Sequence, residues 1–375
     1  MAAKLFDSGP DSFEYQLWTN ADGTTRDGVL DLAQSHSSRP YFRLHMVLRH
    51  CDVSPLDLFE KYGHHLAGIS VKRSDAEPGA GVVRLRLADK SAETFLGCAP
   101  AGIPSAWLLF TTARTRTPEN DRLVEPLLAR LSSRIVPGWL SSHELEKVML
   151  EFEAQVGGRI LPSRVASRGY DRSTVEYRRA GKMSDVIADL RDNELLMHSL
   201  EFKLTTPDGK RPLLSGALNR SFRVSYKKGQ TRLLKDYLLA KLLLRFDTHF
   251  NRVAVRENDR AASRSIVYRF EQESLMSGES HQRLVNSLAG VSHFSVCAFH
   301  MNPYLNVSVT DLLDGSSMSL VSDSTDEMYV MPGRKCTSGA VSRVLDAVFE
   351  RFAAGKVERS DALAEDWATL LDACS

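Results

Sequence analysis

Apolar and polar positions alternate with period two over residues 40–49, where Phe42, Leu44, Met46 and Leu48 fall on one side and Arg43, His45 and Arg49 on the other. This is the pattern of a half-buried strand. Val83, Leu85 and Leu87 repeat it with Arg84 and Arg86 turned outward, and residues 106–110 form a third apolar run. Leu123, Leu127, Leu128 and Leu131 recur at helical spacing and predict a helix over about 121–131. Pro137-Gly138 then punctuates the chain and marks the candidate domain boundary.

The next helix has Ser141 and Glu144 at capping-box spacing, an apolar stripe of Leu145, Val148, Met149, Phe152 and Val156, and Gly157-Gly158 as its stop. A further helix is predicted over 183–196. Leu200, Phe202 and Leu204 read as a strand that ends in the turn chemistry of Pro207-Asp208-Gly209. Phe222, Val224 and Tyr226 predict another strand. The stretch 231–250 is so rich in Leu, Tyr and Phe that it reads as a helix apolar on every side, expected at the centre of a core. Ile266, Tyr268 and Phe270 form one more strand.

The last hundred residues read as a meander over 294–300, 304–310, 318–321 and 328–331, with Asp314-Gly315 as a hairpin turn. A helix capped by Thr337 or Ser338 follows, with Val341, Val344, Leu345, Val348 and Phe352 on one face. A short helix around Trp367 and Leu370 is expected to close the chain. The first 135 residues and the last 85 thus share an order, several strands and then an amphipathic helix, which raises an ancient duplication without residue-level similarity to support it.

These patterns predict an α+β protein of antiparallel sheets and packed amphipathic helices in two modules, 1–136 and 139–375. The second has a basic middle over about 159–270 and an acidic C-terminal part. Composition adds little: 43% hydrophobic residues support genuine cores, while 25% charged residues and a net charge of +1 name no partner. The N-terminal stretch lacks the apolar run of a secretory signal, and the longest apolar cluster, 237–244, is broken by Lys241 and flanked by Arg245. A cytoplasmic protein with no membrane span is expected. The five cysteines, Cys51, Cys98, Cys297, Cys336 and Cys374, are widely scattered and read as free thiols.

The distribution of charge changes the picture. From Lys203 to Phe270 the chain carries sixteen Lys or Arg against five acids, whereas from Glu271 to the end it carries seven against fifteen. If the strands at Phe202, Phe222 and Tyr268 share one sheet, their outer faces align Lys203, Arg223, Lys227 and Arg269 with Ser and Thr between them. That is the chemistry of a surface that tracks phosphates. The candidate nucleic-acid-binding residues are Lys203, Arg220, Arg223, Lys227, Lys228, Arg232, Arg252 and Arg256. The expected partner is the backbone of DNA or RNA, and other protein subunits within a bacterial nucleoprotein or defence assembly fit the same pattern. The competing reading is a protein–protein adaptor or scaffold whose basic middle meets an acidic surface, its own or a partner's.

Catalytic chemistry is weakly signalled. Glu201-Phe202-Lys203 resembles the second half of a PD-(D/E)xK nuclease site, in which a strand carboxylate binds Mg²⁺ and the Lys assists the attacking water. The acids upstream, Asp185, Asp189 and Asp192, fall in a predicted helix rather than on a neighbouring strand, and a cross-strand ion pair explains the triplet as well. His36-Ser37-Ser38 and His293-Phe294-Ser295 have the form of paired HxS motifs at a frequency chance supplies. His64-His65 lack partners at ligand spacing. No Walker A loop, GxGxxG, GxSxG or HExxH stands in the chain. No catalytic residue, metal or cofactor is expected.

Overall fold

The computed structural model describes residues 44–51, 53–63, 69–77, 80–89, 91–101, 106–111, 113, 117–131, 134–169, 174–177, 181–253, 265–270, 278–324, 326–333, 336–350, 352 and 355–359. The fold is α+β with antiparallel sheets, and the chain divides into two compact units. Unit 1 comprises residues 1–135 and 144–246; unit 2 comprises 136–143 and 247–375. The Pro137-Gly138 punctuation therefore sits inside a short segment that belongs to unit 2. There Trp139 stacks on Phe349 with ring centroids 4.3 Å apart, and its carbonyl meets His249 Nδ1 at 3.0 Å.

Unit 1 opens with β1 (Leu44–Cys51), α1 (Pro55–Gly63), β2 (Ile69–Glu77), β3 (Ala80–Leu87), β4 (Glu93–Pro100) and β5 (Ala106–Thr111). A π-helical turn, Asn120–Val124, leads into α2 (Glu125–Arg130), and β6 (Ile135–Pro137) begins at the last residue of this stretch of unit 1. After α3 (Ser142–Val156) come β7 (Arg159–Arg168), β8 (Thr174–Tyr177), α4 (Met183–Asp192), β9 (Leu196–Thr205), β10 (Pro212–Asn219) and β11 (Arg223–Gly229). One sheet runs through all of these strands in the order β2-β3-β4-β5-β1-β11-β10-β9-β7-β8, with β6 pairing β1 off this path.

The two halves of this sheet are covered on opposite faces. Leu56 and Phe59 of α1 and Leu123 and Leu127 join Val83, Leu96 and Leu109 in one core. Leu109 lies opposite Val47, and Val47 opposite Arg223, so this face continues into β11 at Arg223, Ser225 and Lys227. In the second half it is the other face that is apolar. Leu200, Phe202, Leu204, Val224 and Tyr226 are all buried, and Phe152 of α3 meets Phe202 edge-on at 6.2 Å. The face carrying Glu201, Lys203 and Lys227 is the one that α3 leaves uncovered.

The stretch 231–253 is helical, as Thr231–Leu233, a π-helical Leu234–Leu239 and α5 (Ala240–Val253). It is not buried all round. Ala240, Leu244, Thr248 and Asn251 form an exposed stripe, with Leu244 69% exposed, while Leu234, Leu238, Leu242 and Phe246 face the core. Lys241 and Arg245 beside that stripe both reach Glu151 of α3, at 3.4 and 3.2 Å. Counting apolar residues overstated burial because the polar side of the helix is supplied partly by ion pairs to another helix.

Unit 2 has β12 (Ile266–Phe270), α6 (Gly278–Ala289), β13 (Phe294–His300), β14 (Leu305–Asp311), β15 (Ser316–Ser322), β16 (Glu327–Pro332), α7 (Ser338–Phe349) and β17 (Gly355–Arg359). Its sheet order is β13-β14-β15-β16-β12-β17. The predicted meander is present, Gly315 takes φ +74 at its hairpin, and Thr337 caps α7 by accepting from Ala340 N–H at 3.1 Å. Residues after Arg359, including Trp367 and Leu370, lie outside the described residues.

The two ends of the chain share a topology. In the first, β1, α1, the meander β2–β5, α2 and β6 follow one another; in the second, β12, α6, the meander β13–β16, α7 and β17 do so. In each, the first strand pairs the last meander strand, and the strand after the second helix returns to pair the first. The shared order of strands and helix seen in the sequence is thus a shared connectivity.

Candidate nucleic-acid interface

The basic segment does not form one sheet face. β9 and β11 share the sheet of unit 1, but β12 lies in the sheet of unit 2, where Arg269 pairs with Glu327 at 3.0 Å and Glu358 at 3.3 Å. Arg252 also belongs to unit 2; it is half-buried and bonded within the protein. Arg256, with Arg260 and Arg264, lies outside the described residues.

Within unit 1 the expected cations separate by partner. Arg220, in the turn between β10 and β11, is 3% exposed and interacts within the fold, so it is no surface cation. Arg223 lies under α2 and donates to Glu125 Oε1 at 2.8 Å, because its face of β11 continues the one that α2 covers. Lys227 donates to Glu201 Oε2 at 2.5 Å, and Glu201 Oε1 lies 3.8 Å from Arg164, which also pairs with Glu176. Arg232 is well exposed but holds Asp236, one helical turn on, at 3.1 Å.

Lys203 and Lys228 remain. Both are exposed, and neither makes an ion pair among the described residues. Register brings them together: Ser215 of β10 stands opposite Lys203 on one side and Lys228 on the other, so the three share a face. A register shift between Ser215 and Gly216 leaves Lys227 as the extra residue on β11, which lets Lys227 turn to Glu201 while Lys228 stays opposite Ser215.

The adjoining β9–β10 turn adds charge that sequence reasoning passed over. Thr206 N–H donates to Arg211 O at 2.9 Å, Gly209 at φ +76 donates to Thr206 O at 2.8 Å, and Arg211 N–H reaches Thr206 Oγ1 at 3.1 Å. The turn so fixed presents Lys210 and Arg211, both exposed. Arg159 of β7 extends its guanidinium to the neighbourhood of Gly209. Asp208 is the acid inside this turn. A hydrogen bond from Thr206 Oγ1, and then one from Lys210 N–H, hold its carboxyl below the usual range. The signal in the sequence is the pair of cations, Lys210 and Arg211, directly after Asp208-Gly209.

Glu201 and Lys203 share the uncovered face, as the nuclease reading needs, but the acids do not join them. Asp185, Asp189 and Asp192 stand on α4, which Arg191 ties to Glu146 of α3 at 2.9 Å, on the side of the sheet to which Phe202 turns. Among the described residues no group of His, Cys, Asp and Glu is placed to hold a metal ion. His36 and the pair His64-His65 lie outside the described residues, and His293 packs beside Asp311, Asp314 and Arg343. Phe202, Phe222 and Tyr226 are fully buried and offer no stacking surface. No helix among the described residues is long and apolar enough to cross a membrane.

The chain matches no protein-family profile and none of the curated proteins with which it was compared.

Proposed function

We propose that this chain is a non-catalytic, cytoplasmic nucleic-acid-binding subunit that holds the phosphate backbone of DNA or RNA at one end of its longer sheet, within a larger nucleoprotein assembly. The observation that carries this reading is the cluster Lys203, Lys210, Arg211 and Lys228, exposed and without ion pairs among the described residues, with Arg159 beside them. Cations neutralised inside the protein release no counterions when a polyanion arrives, whereas cations facing water do. A fixed hairpin turn also places them at little ordering cost. The cluster has no exposed aromatic residue on which a base could stack, and backbone contact is therefore the mode proposed.

Fluorescence anisotropy with mixed-sequence oligonucleotides over a salt series tests the proposal. Four phosphate contacts give a log–log salt slope of roughly −3 to −4 on duplex DNA. Replacing Lys203, Lys210, Arg211 and Lys228 by Glu together removes binding from a folded protein. Unchanged affinity and slope in that variant defeat the reading.

A further inference from the structure

We propose that β13 is the contact strand of a symmetric dimer, in which two copies of this chain pair their β13 edges antiparallel about a two-fold axis at Cys297. Among the described residues, β13 ends the sheet of unit 2 and pairs only with β14. An edge strand presents a row of unpaired N–H and C=O groups, and proteins blunt such edges with charge, proline or a β-bulge, of which β13 has only the bulge at Phe299, near its end. The topologically equivalent edge in unit 1, β2, reads ISVKRSDAE and carries Lys72, Arg73, Asp75 and Glu77. β13 reads FSVCAFH, with no Asp, Glu, Lys, Arg or Pro. Cys297, Ala298, Phe299 and His300 are all exposed on it.

Side chains at the two ends of the strand identify the occupant. Among the described residues, the large hydrophobic side chains that unit 2 exposes are Phe299 (65%), Tyr304 (42%), Leu312 (63%) and Leu313 (43%). Phe299 is the extra residue where the β13–β14 register shifts, and Tyr304 follows in the next loop, its ring 4.4 Å from His300. His281 Nδ1 anchors that loop by donating to Met301 O at 2.6 Å. Leu312 and Leu313 lie at the opposite end, where Leu312 N–H donates to His293 O at 2.8 Å. Antiparallel pairing sets the first end of one copy against the last end of the other. Leu312 and Leu313 of each copy then meet Phe299 and Tyr304 of its mate, the reciprocal contact that two-fold symmetry requires.

Charge selects the same occupant. Residues near a two-fold axis face their own copies, so an Asp, Glu, Lys or Arg there repels itself, and β13 has none of these. A register centred on Cys297 pairs Val296 of each copy with Ala298 of its mate, and the extra residue Phe299 lies outside this central run. The same register sets the two Cys297 residues directly opposite, roughly 4.5–5.5 Å apart at Cα. A contact built from one strand pair and four apolar side chains per copy falls in the small class of interfaces, below about 1,200 Å², so association is expected at micromolar rather than nanomolar concentration.

Sedimentation velocity of the full chain over a concentration series is the primary test. A monomer–dimer equilibrium is expected, and Cys297→Lys or Cys297→Glu each raises its dissociation constant by about tenfold or more through like-charge repulsion. An equimolar mixture of the two variants restores the dimer, since the opposed charges then attract. Cys297 is exposed, so both variants keep the fold, which circular dichroism checks. Independently of any change at Cys297, a short bismaleimide added to protein with Cys374→Ser gives a covalent dimer linked Cys297 to Cys297. A chain that stays monomeric to several hundred micromolar overturns the proposal, as does a dimer that Cys297→Lys leaves unaltered.

Discussion

Lys227 of β11 reaches across β10, where Ala217 stands opposite Glu201, to place its Nζ 2.5 Å from Oε2 of Glu201 on β9. Glu201 thereby neutralises the middle of the uncovered sheet face, and the cations that stay available are displaced to the hairpin end. Glu201→Ala should release Lys227 to the solvent, while Arg164 keeps its pair with Glu176. Nucleic-acid affinity is expected to rise and the salt slope to steepen by about one unit per cation that gains a phosphate. Stability falls by about 1 kcal/mol, as for a partly exposed pair. Anisotropy and urea denaturation on the same sample check both, and a loss of binding in Glu201→Ala contradicts the assignment.

Arg223 supports α2. Arg223→Glu sets a carboxylate against Glu125 and should cost about 1–2 kcal/mol, with little change in the salt slope for nucleic acid. Adding Glu125→Arg recovers most of the loss. A double-mutant cycle from urea melts measures the coupling, and an additive cycle shows that the pair contributes nothing.

In unit 2, Arg343 donates from Nε to Asp311 at 2.6 Å and from Nη2 to Asp314 at 2.7 Å, and both acids are almost wholly buried. Removing the guanidinium strands two carboxylates, so Arg343→Met should destabilise by about 3–5 kcal/mol. Arg343→Lys keeps a charge but not both bonds and should fall between Met and wild type. Thermal melts at pH 7 order the three proteins.

His293 sits beside this triad with its Nε2 buried and unpartnered among the described residues. Burial lowers its pKa, Arg343 lowers it further, and Asp311 and Asp314 pull it up without restoring it. A proton therefore binds the unfolded chain more readily than the folded one. This contribution to stability is complete above the unfolded value of about 6.5 and is lost as pH falls through the lowered folded value. Asp314 adds a second loss in stronger acid. Burial raises its pKa, but hydrogen bonds from Ser316 and Thr337 and the charge of Arg343 outweigh this and hold it low. Its stabilisation is present above about pH 4 and fades below. His293→Gln should flatten the stability–pH curve between pH 7 and 5 while leaving the acid limb; an unaltered curve rejects the role of His293.

The described thiols should differ sharply in reactivity. Cys51, Cys98 and Cys336 are buried, and burial pushes the Cys336 thiol up to about 12. Cys297 is exposed. In protein with Cys374→Ser, one thiol per chain should react with a chromogenic disulfide under native conditions and four in denaturant. Fast labelling of Cys336 in the folded state would place α7 in a looser packing than described.

Local patterns alone determined the α+β class, most strand and helix positions, the cap at Thr337, the turns at Pro207-Asp208-Gly209 and Asp314-Gly315, and the burial of Phe202, Val224 and Tyr226. Each depends on residues within a few positions of one another, where side-chain alternation, helical spacing and turn chemistry act. Tertiary structure decided which cations remain available. Lys203, Lys227 and Arg223 look alike in the sequence; one meets water, one Glu201 and one Glu125, and those acids lie 26 and 98 positions away from their lysine and arginine. An ion pair depends on which strands become neighbours, in what register, and which face a helix covers. The same long-range choices put β12 in a different sheet from β9 and β11 and gave the two ends of the chain one connectivity without residue-level similarity, because packing constrains the apolar pattern of an element far more than the identity of its residues.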